Sequence, residues 1–198
     1  MPPSPYKVIY LTGPPAVGKT TLVKRLQKAC AELDIFVYSE LLTQHLERTK
    51  KTNLSQKKLR MNSAHIVMPE DIEKVDQFLI DETNRLRSTR HIIIDSHPVT
   101  KEDYGFRITA FSIPLLLALK PTVICMLYAD AGEIIKRIAK HPKGRPIANV
   151  YETSLHCSMQ ANVATIYGIQ LGAPIYFFNA STAVDIDVAF NKIASWLS

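Results

Sequence analysis

The sequence predicts a three-layer α/β domain, a parallel sheet with helices on both faces. Three observations lead there. Five apolar runs, at 7–12, 35–38, 91–95, 122–128 and 175–178, are rich in Val, Ile, Phe and Tyr and do not alternate with polar residues. Strands without alternation are buried on both faces, as in parallel sheets under helices. Stretches of helical periodicity separate the runs, in the order expected of right-handed crossovers. A glycine-rich segment joins the first run to the first helical stretch.

The helical stretches follow in order at 19–33, 40–49, 69–88, 112–119, 131–140, 149–171 and 182–197. The gap between Tyr38 and His91 exceeds what one crossover helix needs, so an insert of two or three helices is expected at about 39–90. A second irregular stretch, 141–146, breaks the helical pattern with Pro, Gly and basic residues. The most apolar segment, 108–129, is interrupted by Pro114 and by Lys120-Pro121. It reads as a helix, a break and a strand, where a membrane span needs about 20 unbroken apolar residues.

Composition bounds the rest. A chain of 198 residues makes one domain, and 46% hydrophobic with 21% charged residues excludes disordered, collagen-like and disulfide-rich classes. The three cysteines, Cys30, Cys125 and Cys157, form no CxxC and no zinc spacing, and are expected buried and inert. They suit a reducing, cytoplasmic setting. The opening Met-Pro-Pro-Ser-Pro-Tyr-Lys has no basic region followed by an apolar run, so a soluble protein without a signal peptide is expected. The net charge of +6 fits either the handling of polyanions or ordinary solubility.

The glycine-rich segment carries the chemistry. Val8-Ile9-Tyr10-Leu11-Thr12 runs into Gly13-Pro14-Pro15-Ala16-Val17-Gly18-Lys19-Thr20-Thr21, a G-x-x-x-x-G-K-T motif. It ends an apolar strand and opens an apolar-periodic helix through Leu22, Val23, Leu26 and Cys30, the context a P-loop requires. By chance the pattern arises in roughly one chain in a hundred. Residues 13–21 are expected to wrap backbone N–H groups round the phosphates of ATP, aided by the helix N-terminus. Lys19 reaches the β- and γ-phosphates and the Thr20 hydroxyl ligates Mg²⁺.

Asp95 ends the run His91-Ile92-Ile93-Ile94, at the sheet edge where open α/β folds bind ligands. It is either a Walker B carboxylate holding Mg²⁺ or a cap of the next segment. His97 lies two residues on, and either positions a water or the acceptor or is a structural histidine. Arg137, Lys140, Lys143 and Arg145 surround the break near Gly144. They form either a basic lid over the transferring phosphoryl group, at about 137–148, or a solvated helix end. Phe106, Arg107 and Phe111 either stack on a base and hold an acceptor phosphate or belong to the core. Ser39-Glu40 contacts the acceptor or caps a helix, and Asn179-Ala180-Ser181 supports the donor base or makes a turn.

On these residues the chain resembles the archaeal-type adenylate kinases and, more loosely, the eukaryotic nuclear adenylate-kinase-like ATPases. The P-loop carries the resemblance, with Asp95-Ser96-His97 as a D-x-H, Tyr104-Gly105-Phe106, and Leu119-Lys120-Pro121-Thr122-Val123-Ile124 followed by Ala129-Asp130, Arg137 and Lys140. The stretch around Gln160 to Gly172, running into the last strand, adds to it. The resemblance implies a five-stranded parallel sheet in the order 2-3-1-4-5, Mg·ATP as donor and a nucleoside monophosphate as acceptor. It carries Gly13, Gly18, Lys19, Thr20, Asp95, His97 and Arg137 over as site residues. The chain departs from the family at Pro15-Ala16, where Pro-Gly is usual, and at His65-Ile66-Val67-Met68-Pro69, where an arginine is usual. Lysines 140 and 143 stand where lid arginines are expected.

The expected function is therefore ATP-dependent phosphotransfer within a single domain. Lys19, Asp95, His97 and Arg137 are the catalytic candidates. Residues 13–21, Arg145 and Asn179 are the nucleotide-binding candidates. The alternatives are a kinase of another small molecule, and a regulatory or assembly ATPase acting with a protein or RNA partner.

Overall fold

A computed structural model describes residues 5–50, 67–142 and 149–198. Five strands form one parallel sheet: β1 (Val8–Thr12), β2 (Leu33–Val37), β3 (His91–Asp95), β6 (Val123–Tyr128) and β7 (Ile175–Asn179). Their spatial order is β2-β3-β1-β6-β7, so the five parallel strands counted alone run 2-3-1-4-5, as expected. The helices are α1 (Lys19–Ala29), α2 (Tyr38–Lys50), α3 (Pro69–Leu86), α4 (Ile113–Leu119), α5 (Ala131–Lys140), α6 (Val150–Leu171) and α7 (Ala183–Ala194). Among the described residues, α2 and α3 fill the long gap before β3. Residues 51–66 of that gap lie outside the described residues, as does 143–148 of the basic break. No described helix is long and apolar enough to cross a membrane.

The sheet explains the unbroken apolar runs. Successive side chains of a strand point to opposite faces. On β1, Ile9 and Leu11 pack with Leu22 and Leu26 of α1 and with Ala189 and Ile193 of α7. Val8 and Tyr10 face the other way, onto Leu79 of α3, Leu116 of α4 and Val163 and Tyr167 of α6. Both faces of β1 are therefore core.

Element ends follow local chemistry. Ser112, Asp130, Asn149 and Thr182 cap α4, α5, α6 and α7 with side-chain acceptors, and the last two complete capping boxes with Glu152 and Asp185. Helix α1 ends at Ala29 and β2 starts at Leu33, where the periodicity predicted a helix to 33. Cys125 is buried and burial pushes its thiol well up, while Cys30 and Cys157 are half-buried, and all three are free.

The sequence reading missed one element. After β3 the chain forms an antiparallel hairpin, β4 (Val99–Glu102) and β5 (Gly105–Ile108), pairing Thr100 with Arg107 and Lys101 with Phe106. Phe106 packs edge-on to His156 of α6, with ring centroids 5.3 Å apart.

Gly168 places α6 against β7. A Cβ there would lie 2.2 Å from Ile175 Cγ1 and 3.2 Å from the Ala173 carbonyl. In an open helix Gly→Ala gains about 1 kcal/mol. Here the sign reverses: Gly168→Ala is expected to destabilise by about 1–3 kcal/mol through overpacking, read as a fall in Tm.

Candidate active site

The loop between β1 and α1 is shaped by backbone that side chains resist. Gly13 has φ 146° and Gly18 φ 116°, and a Cβ on Gly13 would lie 2.5 Å from the Leu127 carbonyl oxygen. Ala16 has φ 61°, so alanine occupies a left-handed position that favours glycine. That conformation costs about 1 kcal/mol with a Cβ present. Helix α1 starts on Gly18 with no side-chain cap. Uncapped first-turn N–H groups, with the dipole behind them, suit an anion.

Lys19 is buried, 5% exposed, and its Nζ donates to the Gly13 carbonyl at 2.9 Å. It lies 3.9 Å from Asp95 Oδ1. Asp95 ends β3, in register with Leu11 of β1 and Val37 of β2, which brings its carboxylate to the mouth of the P-loop. It is 6% exposed, and among the described residues its Oδ1 accepts no hydrogen bond. Burial lifts its carboxyl above the ordinary carboxylate value; Lys19 pulls it down and Glu40 adds to the rise. An orphaned carboxylate oxygen beside a phosphate-binding loop, with Thr20 at the same cavity, is a donor set of hard oxygens that fits Mg²⁺. His97 Nδ1 comes back to 4.0 Å from Asp95 Oδ1, with its ring 39% exposed on the same cavity.

Other candidates fall differently. Arg137 lines the cavity, but its guanidinium donates to the carbonyls of Val17 at 3.1 Å, Ala180 at 2.8 Å and Ser181 at 2.6 Å. In place of the expected mobile cation it braces the P-loop against the end of β7. Asn179 does not line the cavity; its Oδ1 accepts from the Ser181 N–H and hydroxyl, so it shapes a turn instead of meeting a base. Ala183 and Ile186 of α7 line that end. Arg145 and Lys143 lie outside the described residues, and Lys140 is exposed away from the cavity. Ser39 lines the cavity from inside the first turn of α2 and is not its cap, while Glu40 does not line it.

The loop opens into one cavity of about 1210 Å³. Its far end is built by α2, α3, the hairpin and the segment before α4. Phe111 and Arg107 line it, whereas Phe106 does not. Arg107 pairs with Glu102 (Nη2–Oε1 2.8 Å), and Lys101 with Glu152 of α6 at 3.0 Å.

Two features around the cavity had no signal in the sequence. Tyr38 donates its hydroxyl to Asp76 Oδ1 at 2.6 Å, joining the start of α2 to the middle of α3. Glu152, His156 and Gln160 form a polar stripe on α6 at four-residue spacing, one face of a helix. His156 Nε2 donates to the Val99 carbonyl at 3.0 Å, and burial lowers its pKa. Gln160, fully buried, accepts from the Thr12 hydroxyl at 3.3 Å and reaches the Gly13 carbonyl with its amide at 3.5 Å.

The sheet order, the glycine loop on an uncapped helix and the acid at the end of β3 define a P-loop protein that binds nucleotide at its sheet edge. Over residues 12–154 the sequence matches the family described as an AAA domain. The chain belongs to that family, as an adenylate-kinase-like P-loop kinase. It is 22% identical over 202 residues to an adenylate kinase of Pyrococcus horikoshii, covering 96% of this chain and 94% of the relative. It is 23% identical over 172 residues to one of Methanoculleus marisnigri, covering 85% and 87%. A solved shikimate kinase of Bacteroides thetaiotaomicron has a TM-score of 0.56 at 16% identity, covering 96% of this chain and 98% of that one. A solved sugar kinase from Janibacter sp. has a TM-score of 0.55 at 14% identity, covering 97% and 94%. At these identities the two structures carry the fold alone.

Proposed function

We propose that the protein moves the γ-phosphoryl group of Mg·ATP to the phosphate of a nucleoside monophosphate. The observation that carries this is the size of the cavity at the P-loop: about 1210 Å³, more than the roughly 300–1,000 Å³ of a one-ligand pocket. The P-loop stands at one end and a separate lobe, with Lys101 and Arg107 on its wall, at the other. The likeness to adenylate kinases along most of the chain supports the same reading.

The roles follow from position. The backbone of residues 13–21 cradles the donor phosphates. Lys19 leaves the Gly13 carbonyl and turns its charge onto the β- and γ-phosphates. Thr20 and Asp95 would hold Mg²⁺, which would supply positive charge to offset that of the phosphates. An acceptor phosphate oxygen attacks the γ-phosphorus in line, the bond to the β-bridging oxygen breaks, and ADP leaves. A phosphate acceptor brings no proton that must be removed, so catalysis is positioning and charge stabilisation. His97, beside Asp95, orients the acceptor, and Arg137 keeps the loop in shape.

The test is ADP formation from Mg·ATP alone and then with AMP, CMP, UMP, GMP or dTMP. Strong stimulation by one monophosphate, with its diphosphate appearing, is expected. A rate that no monophosphate raises would overturn the reading. A second reading, transfer to a hydroxyl on another small molecule, is favoured by the pairing of Arg107 with Glu102 and Lys101 with Glu152, which weakens the pull on an anionic acceptor.

A further inference from the structure

The far lobe of the cavity mixes apolar side chains with hydroxyls, Ser39 and Thr43 among them, and with the hairpin cations Lys101 and Arg107. Leu42 of α2, Val67, Ile72 of α3 and Phe111 line it, and Asp76 stands among them. Asp76 is half-buried, and burial raises its carboxyl above the ordinary value while the Tyr38 hydroxyl lowers it in part. The Tyr38 hydroxyl is held protonated by burial and by this same carboxylate. It therefore stays a donor, and it occupies one position on Asp76 Oδ1. A carboxylate offers about four lone-pair positions, so acceptor capacity remains on Oδ1 and Oδ2.

A carboxylate beside apolar side chains suits a flat ligand with N–H donors at its edge. Among nucleobase edges the choice is sharp. Adenine and cytosine present an amino group beside a ring nitrogen whose lone pair would face the carboxylate. Uracil and thymine present one N–H between two carbonyl oxygens. Only the guanine edge offers two adjacent donors, N1–H and the 2-amino group, matching a bidentate carboxylate.

We propose that Asp76, held by Tyr38 at the far end of the cavity, reads the paired N–H donors of a guanine-type ring on the acceptor. The inference rests on the phosphotransfer reading of this cavity and names its substrate class. It assigns the far lobe to the ring, the hairpin cations to the acceptor phosphate, and the P-loop to the donor. It also accounts for the carboxylate on α3, which no step of phosphoryl transfer uses.

Two measurements test it separately from the reading on which it rests. The first is titration calorimetry of GMP, IMP and AMP into the full chain with ADP and Mg²⁺ present. GMP is expected to bind about 10- to 100-fold more tightly than IMP, which lacks the 2-amino group, as loss of one charge-assisted hydrogen bond predicts. The second is steady-state transfer with the wild type and Asp76→Asn. An asparagine still accepts from Tyr38, so the packing of α2 on α3 is kept. It also offers one donor and one acceptor, which fits adenine, so KM should rise for GMP and fall for AMP. Preferential binding of GMP without transfer to it would support base recognition while overturning the phosphotransfer reading. Transfer to AMP or CMP in preference to GMP by the wild type would overturn the inference and leave phosphotransfer standing. Equal binding of GMP and IMP, or an Asp76→Asn variant with unchanged preference, would also overturn it. No binding of any monophosphate would overturn both.

Discussion

Replacing Lys19 with alanine is expected to lower turnover by about 10³-fold, the upper range for removing one group aimed at developing charge. The buried ammonium sits at the start of α1, bonded to the Gly13 carbonyl and beside Asp95. The glycine loop is held by backbone torsions and by Arg137 on the Val17 carbonyl, neither of which involves Lys19. The loop should therefore persist, and circular dichroism should be unchanged. Single-turnover ADP formation measures the effect. Activity within tenfold of wild type would mean that Lys19 does not serve the transferred group.

Asp95→Asn is expected to separate stability from activity. Burial raises this carboxyl above its ordinary value despite Lys19 nearby. The native state thus binds a proton more tightly than the unfolded chain does. Between the ordinary carboxylate value and the raised one, the stability of the nucleotide-free protein falls as pH rises. Asparagine removes that penalty, so the variant should be more stable at neutral pH. Its Tm is expected to rise by about 2–4 °C, the shift that 1 kcal/mol gives in a domain of this size. The pH dependence of Tm above pH 4 should flatten. Turnover should fall by about 10²-fold or more, because a residue that would hold Mg²⁺ loses its charge. A lowered Tm would show that the carboxylate is needed for packing.

The sheet was legible because its strands are covered twice. An apolar run such as Ile92-Ile93-Ile94 serves both core layers, and that demand leaves a mark in composition. The P-loop was legible because its torsions demand glycine at 13 and 18. The hairpin was not. Its strands are four residues each and carry Lys101, Glu102 and Arg107, so neither length nor polarity marks them as strands. The Tyr38–Asp76 contact joins residues 38 apart through the packing of α2 on α3, which no local pattern encodes. Arg137 was legible as a cation near the site, but its orientation onto three carbonyls is set by where β7 ends. Gln160 carried no mark of its own in the sequence, and only the fold shows it under Gly13.

The polar stripe of α6 acts as a gauge. Glu152 grips the hairpin, His156 its first strand and Gln160 the root of the P-loop, all from one continuous helix. Eight residues at about 1.5 Å each set those grips roughly 12 Å apart. The spacing between the hairpin and the root of the P-loop is therefore fixed by one rigid helix. A single inserted residue between His156 and Gln160 would turn the stripe by about 100° and break the register at one end.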